Sequence, residues 1–131
     1  IQPVLDTKCV SCHREGAQDP RGAKFVLTPD RAYDALTRHG QPSLQDLVIA
    51  AYRQGVSTEG RNPAHRSAFL ALLTAPGGHE GVTLSPGEID RFVTWLDTYG
   101  QRAGAFSEDQ ERDLERLRAE WHDLLAEVTT P

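Results

Sequence analysis

The chain has 131 residues, 38% hydrophobic and 25% charged, which suits one domain with one modest core and leaves no room for two. A net charge of -5 argues against a nucleic-acid binder, because phosphate neutralisation needs a basic face. No apolar run is longer than Leu47–Tyr52, far too short to span a bilayer.

Aromatic residues make up only 7%, against 11 Gly and 8 Pro. A loop-rich chain with so few aromatics needs something besides side chains to complete its core. Two cysteines cannot build a disulfide framework. The opening Ile1–Asp6 has neither a basic n-region nor a long apolar h-region, and the expectation is a mature or excised segment.

Taken in chain order, the pattern predicts an all-α protein with at most one short strand pair. Pro3 starts a short helix through Val4, Leu5 and Lys8 that runs into Cys9-Val10-Ser11-Cys12-His13. Residues 14–24 read as loop, and Phe25-Val26-Leu27 as a brief extended piece. Thr28-Pro29 reads as a cap and first helical position for a helix through Ala32, Tyr33, Leu36 and Thr37, stopped at Gly40. Ser43 caps a helix that places Leu44, Leu47, Val48, Ala51 and Tyr52 on one face and ends at Gly55. Residues 56–64 read as loop. Ser67 starts a helix with Phe69, Leu70, Leu72 and Leu73, ended by Pro76-Gly77-Gly78, and residues 79–82 form a glycine-flanked loop. Ser85-Pro86-Gly87-Glu88 carries cap, first-position proline and capping box, with Ile89, Phe92, Val93, Trp95 and Leu96 facing inward. Ser107 and Gln110 form a second capping box, before a helix striped by Leu114, Leu117, Trp121, Leu124, Leu125 and Val128. Residues 101–131 hold eight acids against four bases, so the acidity concentrates there, either to steer a basic partner or as a solubilising face. The expected organisation is a helical domain over 1–106 and a C-terminal amphipathic helix over 107–131.

Cys9-x-x-Cys12-His13 is the attachment pattern of c-type haem. Two thiols about one helical turn apart reach the two vinyl groups of one porphyrin, and the next residue lies under the iron. His13 is then the proximal ligand. A thioredoxin-type motif expects a strand before it and an α/β pattern after it, and neither is present. A zinc site needs two further ligands, which only the scattered His39, His65, His79 and His122 would supply. A porphyrin also accounts for the missing aromatic core, so the expected fold is a cytochrome c-like helical domain around one covalently bound haem.

The sixth ligand is open at this level. The chain contains no Met, which removes the usual partner of the proximal His. His39 sits at a helix end, His65 in a loop, and His122 beside Trp121 off the apolar stripe. His79 lies between Gly78 and Gly81, where backbone can approach a haem face closely. His79 is the first candidate and His65 the second.

The opening Ile1–Asp6 that leads into Cys9–His13 resembles monohaem cytochrome c domains of large multidomain proteins. The runs Ser67–Leu70, Gly78–Ser85 and Arg91–Asp97 are similar to the C-terminal haem domain of the hydrazine synthase alpha subunit and its relatives. The likeness covers most of residues 1–106, is poor over 15–65 and departs at 101–106. It implies that the His of the Gly-His-x-Gly-Val stretch, here His79, is the distal ligand. It further implies a domain that passes electrons while chemistry occurs on another haem, and a periplasmic or equivalent compartment where haem c is attached.

Bis-histidine ligation leaves no site for substrate, so the expected function is electron transfer to a redox partner protein, or to other subunits or domains of a larger complex. The alternative is an open or weakly held distal site acting as a gas-binding, sensing or peroxidase-like module, with Arg66, Tyr52 or His65 as the distal group. A third reading makes the Leu114–Val128 helix a docking face; one stripe of this length is weak ground for a coiled coil. Whether the chain is an enzyme by itself is left open, with electron transfer favoured.

Overall fold

The computed structural model describes residues 1–55, 59–102 and 107–124. The described residues are mostly helical and contain no β-strand, only an isolated bridge between His79 and Val82. Among the described residues eight helices follow in order: α1 Gln2–Lys8, α2 Pro20–Lys24, α3 Ala32–Arg38, α4 Leu44–Gln54, α5 Pro63–Arg66, α6 Ala68–Leu73, α7 Pro86–Asp97 and α8 Glu108–Glu120. None is long and apolar enough to cross a membrane. The chain divides into two compact units, Ile1–Gly100 and Gln101–Pro131.

In the first unit the serine caps form as the pattern predicts. Ser43 and Asp46 close a capping box on α4, Ser67 accepts the Leu70 N–H on α6, and Ser85 and Glu88 close a box on α7. Two short helices replace expected loop. In α2 the Asp19 carboxylate accepts the Arg21 N–H and Pro20 holds the first position. The start of α5 is capped from a distance: Asp97 on α7 accepts the Ala64 N–H at 2.8 Å and the Asn62 amide at 2.6 Å. Thr28-Pro29 makes a turn rather than a helix start. The Thr28 carbonyl accepts from both Arg31 and Ala32, and α3 begins at Ala32.

Two buried clusters hold this unit together. Val4 and Leu5 of α1, Leu27, Ala32 and Leu36 of α3, Phe69 and Leu73 of α6 and Phe92 of α7 form the larger one. Leu44, Ala64 and Leu96 form the smaller, and Trp95 packs against both. Within α7, Phe92 and Leu96 are buried, while Ile89, Val93 and Trp95 are half-buried. Tyr52 does not join the core and is 88% exposed. At 100° per residue it stands roughly 80° around α4 from Leu44, at the edge of the stripe.

The second unit contains α8, whose Ser107 hydroxyl accepts the Gln110 N–H. Leu125 and Val128 of the expected stripe lie outside the described residues.

Candidate functional site

Helix α1 delivers the Cys-x-x-Cys-His segment as a continuation of its own winding. The Leu5 carbonyl accepts from Cys9 and Val10, and the Cys9 carbonyl accepts from Cys12 and His13. Leu5 is 1% exposed, so the segment springs from a residue fixed in the core. Cys9 is half-buried against the larger cluster, whereas Cys12 is exposed. Burial pushes the Cys9 thiol up from its ordinary value, against a smaller downward pull from Lys8. Reactive redox cysteines carry lowered values, so Cys9 is poorly suited to thiol–disulfide exchange.

The chain after His13 folds back onto the motif. Gly22 of α2 lies so close that a Cβ there would overlap the Cys12 carbonyl oxygen. That contact brings Phe25 to His13: the imidazole Nδ1 lies 3.0 Å from the Phe25 carbonyl oxygen. A carbonyl only accepts, so Nδ1 carries the hydrogen and the Nε2 lone pair of the neutral ring is left for a ligand. The Leu27 N–H bonds the His13 carbonyl at 2.8 Å, which fixes the backbone as well as the ring.

His79 stands at the start of a tight reversal between α6 and α7. The His79 N–H bonds the Val82 carbonyl at 3.1 Å and the Val82 N–H bonds the His79 carbonyl at 2.9 Å. The two residues between, Glu80 and Gly81, have φ of 51° and 79°, the pattern of a two-residue primed turn. Gly78 before it has φ 71°, and a Cβ there would overlap the Val82 carbonyl oxygen. The expected role of the flanking glycines is thereby divided: Gly78 gives backbone clearance and Gly81 makes the turn. Lys8, the residue before Cys9, ties this region to α1. Its Nζ donates to the Thr83 carbonyl at 2.8 Å and to the Glu88 carboxylate at 2.7 Å. Hydrogen bonds from Lys8 and from the Ser85 backbone hold the Glu88 carboxyl down from its ordinary 4.5 to about 2.

The His13 and His79 rings are stacked, with centroids 5.9 Å apart and planes 29° apart. Two imidazoles that bind one metal ion from opposite sides, each with its nitrogen at about 2 Å, have centroids separated by about 6 Å. Of the four sequence-predicted site residues, Cys9, Cys12 and His13 thus share one turn and His79 comes to them from the far side of the sequence. His39 is half-buried and lies one ring further out, 4.9 Å from Phe25 and 6.4 Å from Phe69. His65 and Arg66 are exposed on α5, and among the described residues only Phe25 and His79 make ring contacts with His13. His122 belongs to the second unit.

Phe25, Gly22 and Lys8 are the parts of this site that sequence reasoning missed. The apolar Phe25, returning after a polar stretch, was the available signal for the first. Among the described residues no group of three or more His, Cys, Asp and Glu gathers as a metal-ligand set. A porphyrin asks for less: two thiols on one turn and one imidazole on each side. The residues present fit that request.

The chain matches no protein-family model, no curated protein and no solved structure.

Proposed function

We propose that this chain is a c-type cytochrome module that passes single electrons, in which Cys9 and Cys12 would hold haem and His13 and His79 would ligate its iron. The observation that carries this reading is the close pair of imidazoles, one of which has a ring nitrogen committed to a backbone carbonyl. When bound, haem supplies a one-electron iron couple. The protein's part is orientation and exclusion. Phe25 sets the tautomer and plane of His13, the turn at Glu80-Gly81 presents His79, and two protein ligands leave no position for substrate. Imidazole in place of a thioether sulfur keeps the potential low. Haem c attachment implies an extracytoplasmic compartment, the periplasm or its equivalent, and a redox protein as partner.

Two measurements test this. The intact mass after denaturation exceeds the polypeptide by one haem; a mass equal to the bare chain removes the proposal. The optical spectrum is low-spin and six-coordinate, and His79→Ala converts it to high-spin, while His65→Ala and His39→Ala leave it low-spin. A wild type that is already high-spin and binds carbon monoxide readily would overturn the electron-carrier reading in favour of an open distal site.

A further inference from the structure

The two imidazoles of the site are held unequally. His13 is fixed at three points: its N–H bonds the Cys9 carbonyl, its carbonyl accepts from Leu27 at 2.8 Å, and its Nδ1 lies 3.0 Å from the Phe25 carbonyl oxygen. The His79 ring has no hydrogen-bond partner among the described residues. Its backbone bonds Val82 alone, inside its own turn. The position of that turn must therefore be set from outside it.

His79 sits in the segment 75–84, between the end of α6 and the start of α7. Among the described residues one hydrogen bond reaches this segment from outside. Lys8 makes it, with Nζ 2.8 Å from the Thr83 carbonyl oxygen. Leu84 adds packing against the larger cluster. Arg21 approaches Glu80 only at 4.0 Å, and both side chains are more than two-thirds exposed, so that pair holds little.

The Lys8 ammonium is itself pinned. It donates to a Glu88 carboxylate oxygen at 2.7 Å, and the same oxygen accepts the Ser85 N–H at 2.7 Å. The Lys8 and Glu88 side chains are 28% and 18% exposed, which shields the link from water and salt. A charge-assisted bond in such a setting is stronger than a neutral one. Lys8 is also the residue before Cys9, so a single side chain spans from the Cys9–His13 turn to the turn that presents His79.

We propose that Lys8 is a positioning residue for the His79 side of the site: by holding the Thr83 carbonyl it fixes the separation of the two turns, and when it is lost His79 leaves while His13 stays. The inference rests on the haem reading above. Departure of His79 is a ligand exchange, in which an imidazole vacates one position on iron and no electron passes.

The test uses the haem-loaded full chain and carbon monoxide, which binds six-coordinate ferrous iron only after a protein ligand has left. As carbon monoxide rises, its binding rate reaches a ceiling set by the departure of His79, and no ceiling remains in His79→Ala. Lys8→Met raises the ceiling about tenfold or more, while Lys8→Arg, which keeps a cationic donor, raises it much less. Asp97→Asn disturbs the cap of α5 and leaves the ceiling near that of wild type. Hydrogen exchange supplies a readout that needs no haem spectrum. In Lys8→Met the Val82 amide exchanges faster, while the Leu27 amide, which bonds the His13 carbonyl, keeps its wild-type rate. An unchanged ceiling in Lys8→Met would overturn the proposal. An equal rise in Asp97→Asn, or equal acceleration of exchange at Val82 and Leu27, would do the same by reducing Lys8 to a general stabiliser. A wild type that is already high-spin would instead remove the haem reading, and the proposal with it.

Discussion

At the scale of single residues, the site depends on one position where a side chain has no space. Gly78→Ala places a Cβ on the Val82 carbonyl oxygen and forces a non-glycine residue into left-handed backbone, which alone costs about 1–2 kcal/mol. We expect a loss of at least about 2 kcal/mol, read by denaturant titration, together with a growing high-spin fraction as His79 is displaced. A variant that keeps wild-type stability and spectrum would show that the turn tolerates another path. Phe92 is the counterpart in the core, 0% exposed and in ring contact with Phe69 at 5.4 Å. Phe92→Ala should destabilise by about 3–5 kcal/mol, and a change under about half a kcal/mol would place it outside the core.

Among the elements, α1 and α7 are joined by Lys8 and Glu88, and that join is sensitive to acid. The Glu88 carboxyl titrates at about 2 when folded and near 4.5 when free, so the folded state favours its ionised form. The stabilisation is complete above pH 4.5 and disappears as pH falls towards 2. Thermal melting between these limits should therefore fall on acidification, and Glu88→Gln should flatten the dependence. Its mutation also weakens the capping box at Ser85, so the slope with pH, not the absolute melting point, is the diagnostic. The elements differ in how plainly the sequence announces them. Ser43, Ser67 and Ser85 each precede an apolar stripe, and cap and stripe agree. Helices α2 and α5 have five and four residues, too few for any periodicity, and α5 is capped by Asp97, a residue distant in sequence. Thr28-Pro29 carries the same sign as a true start, but a turn satisfies it. The turn that carries His79 was legible because glycines flank it. The acceptor for His13 was not, since a backbone carbonyl has no residue type to read.

For the whole molecule, both buried clusters and all four proposed haem-binding residues fall within Ile1–Gly100. A chain ending at Gly100 should therefore fold, carry haem and show the spectrum of the full chain. Failure to bind haem in that shortened protein would assign residues 101–131 a part in the site.

Cys9 and Cys12 differ in one more respect, the order in which they can be made to react. In the bare folded chain Cys12 faces water, while Cys9 lies against Leu5 and its neighbours with its thiol held protonated by burial. A soluble alkylating reagent should modify Cys12 first and Cys9 only as α1 opens, and unfolding should make the two rates converge. If haem is attached as proposed, both thioethers would be made most readily before the helix closes over the first cysteine, and the folded chain would inherit a bond it would be slow to form.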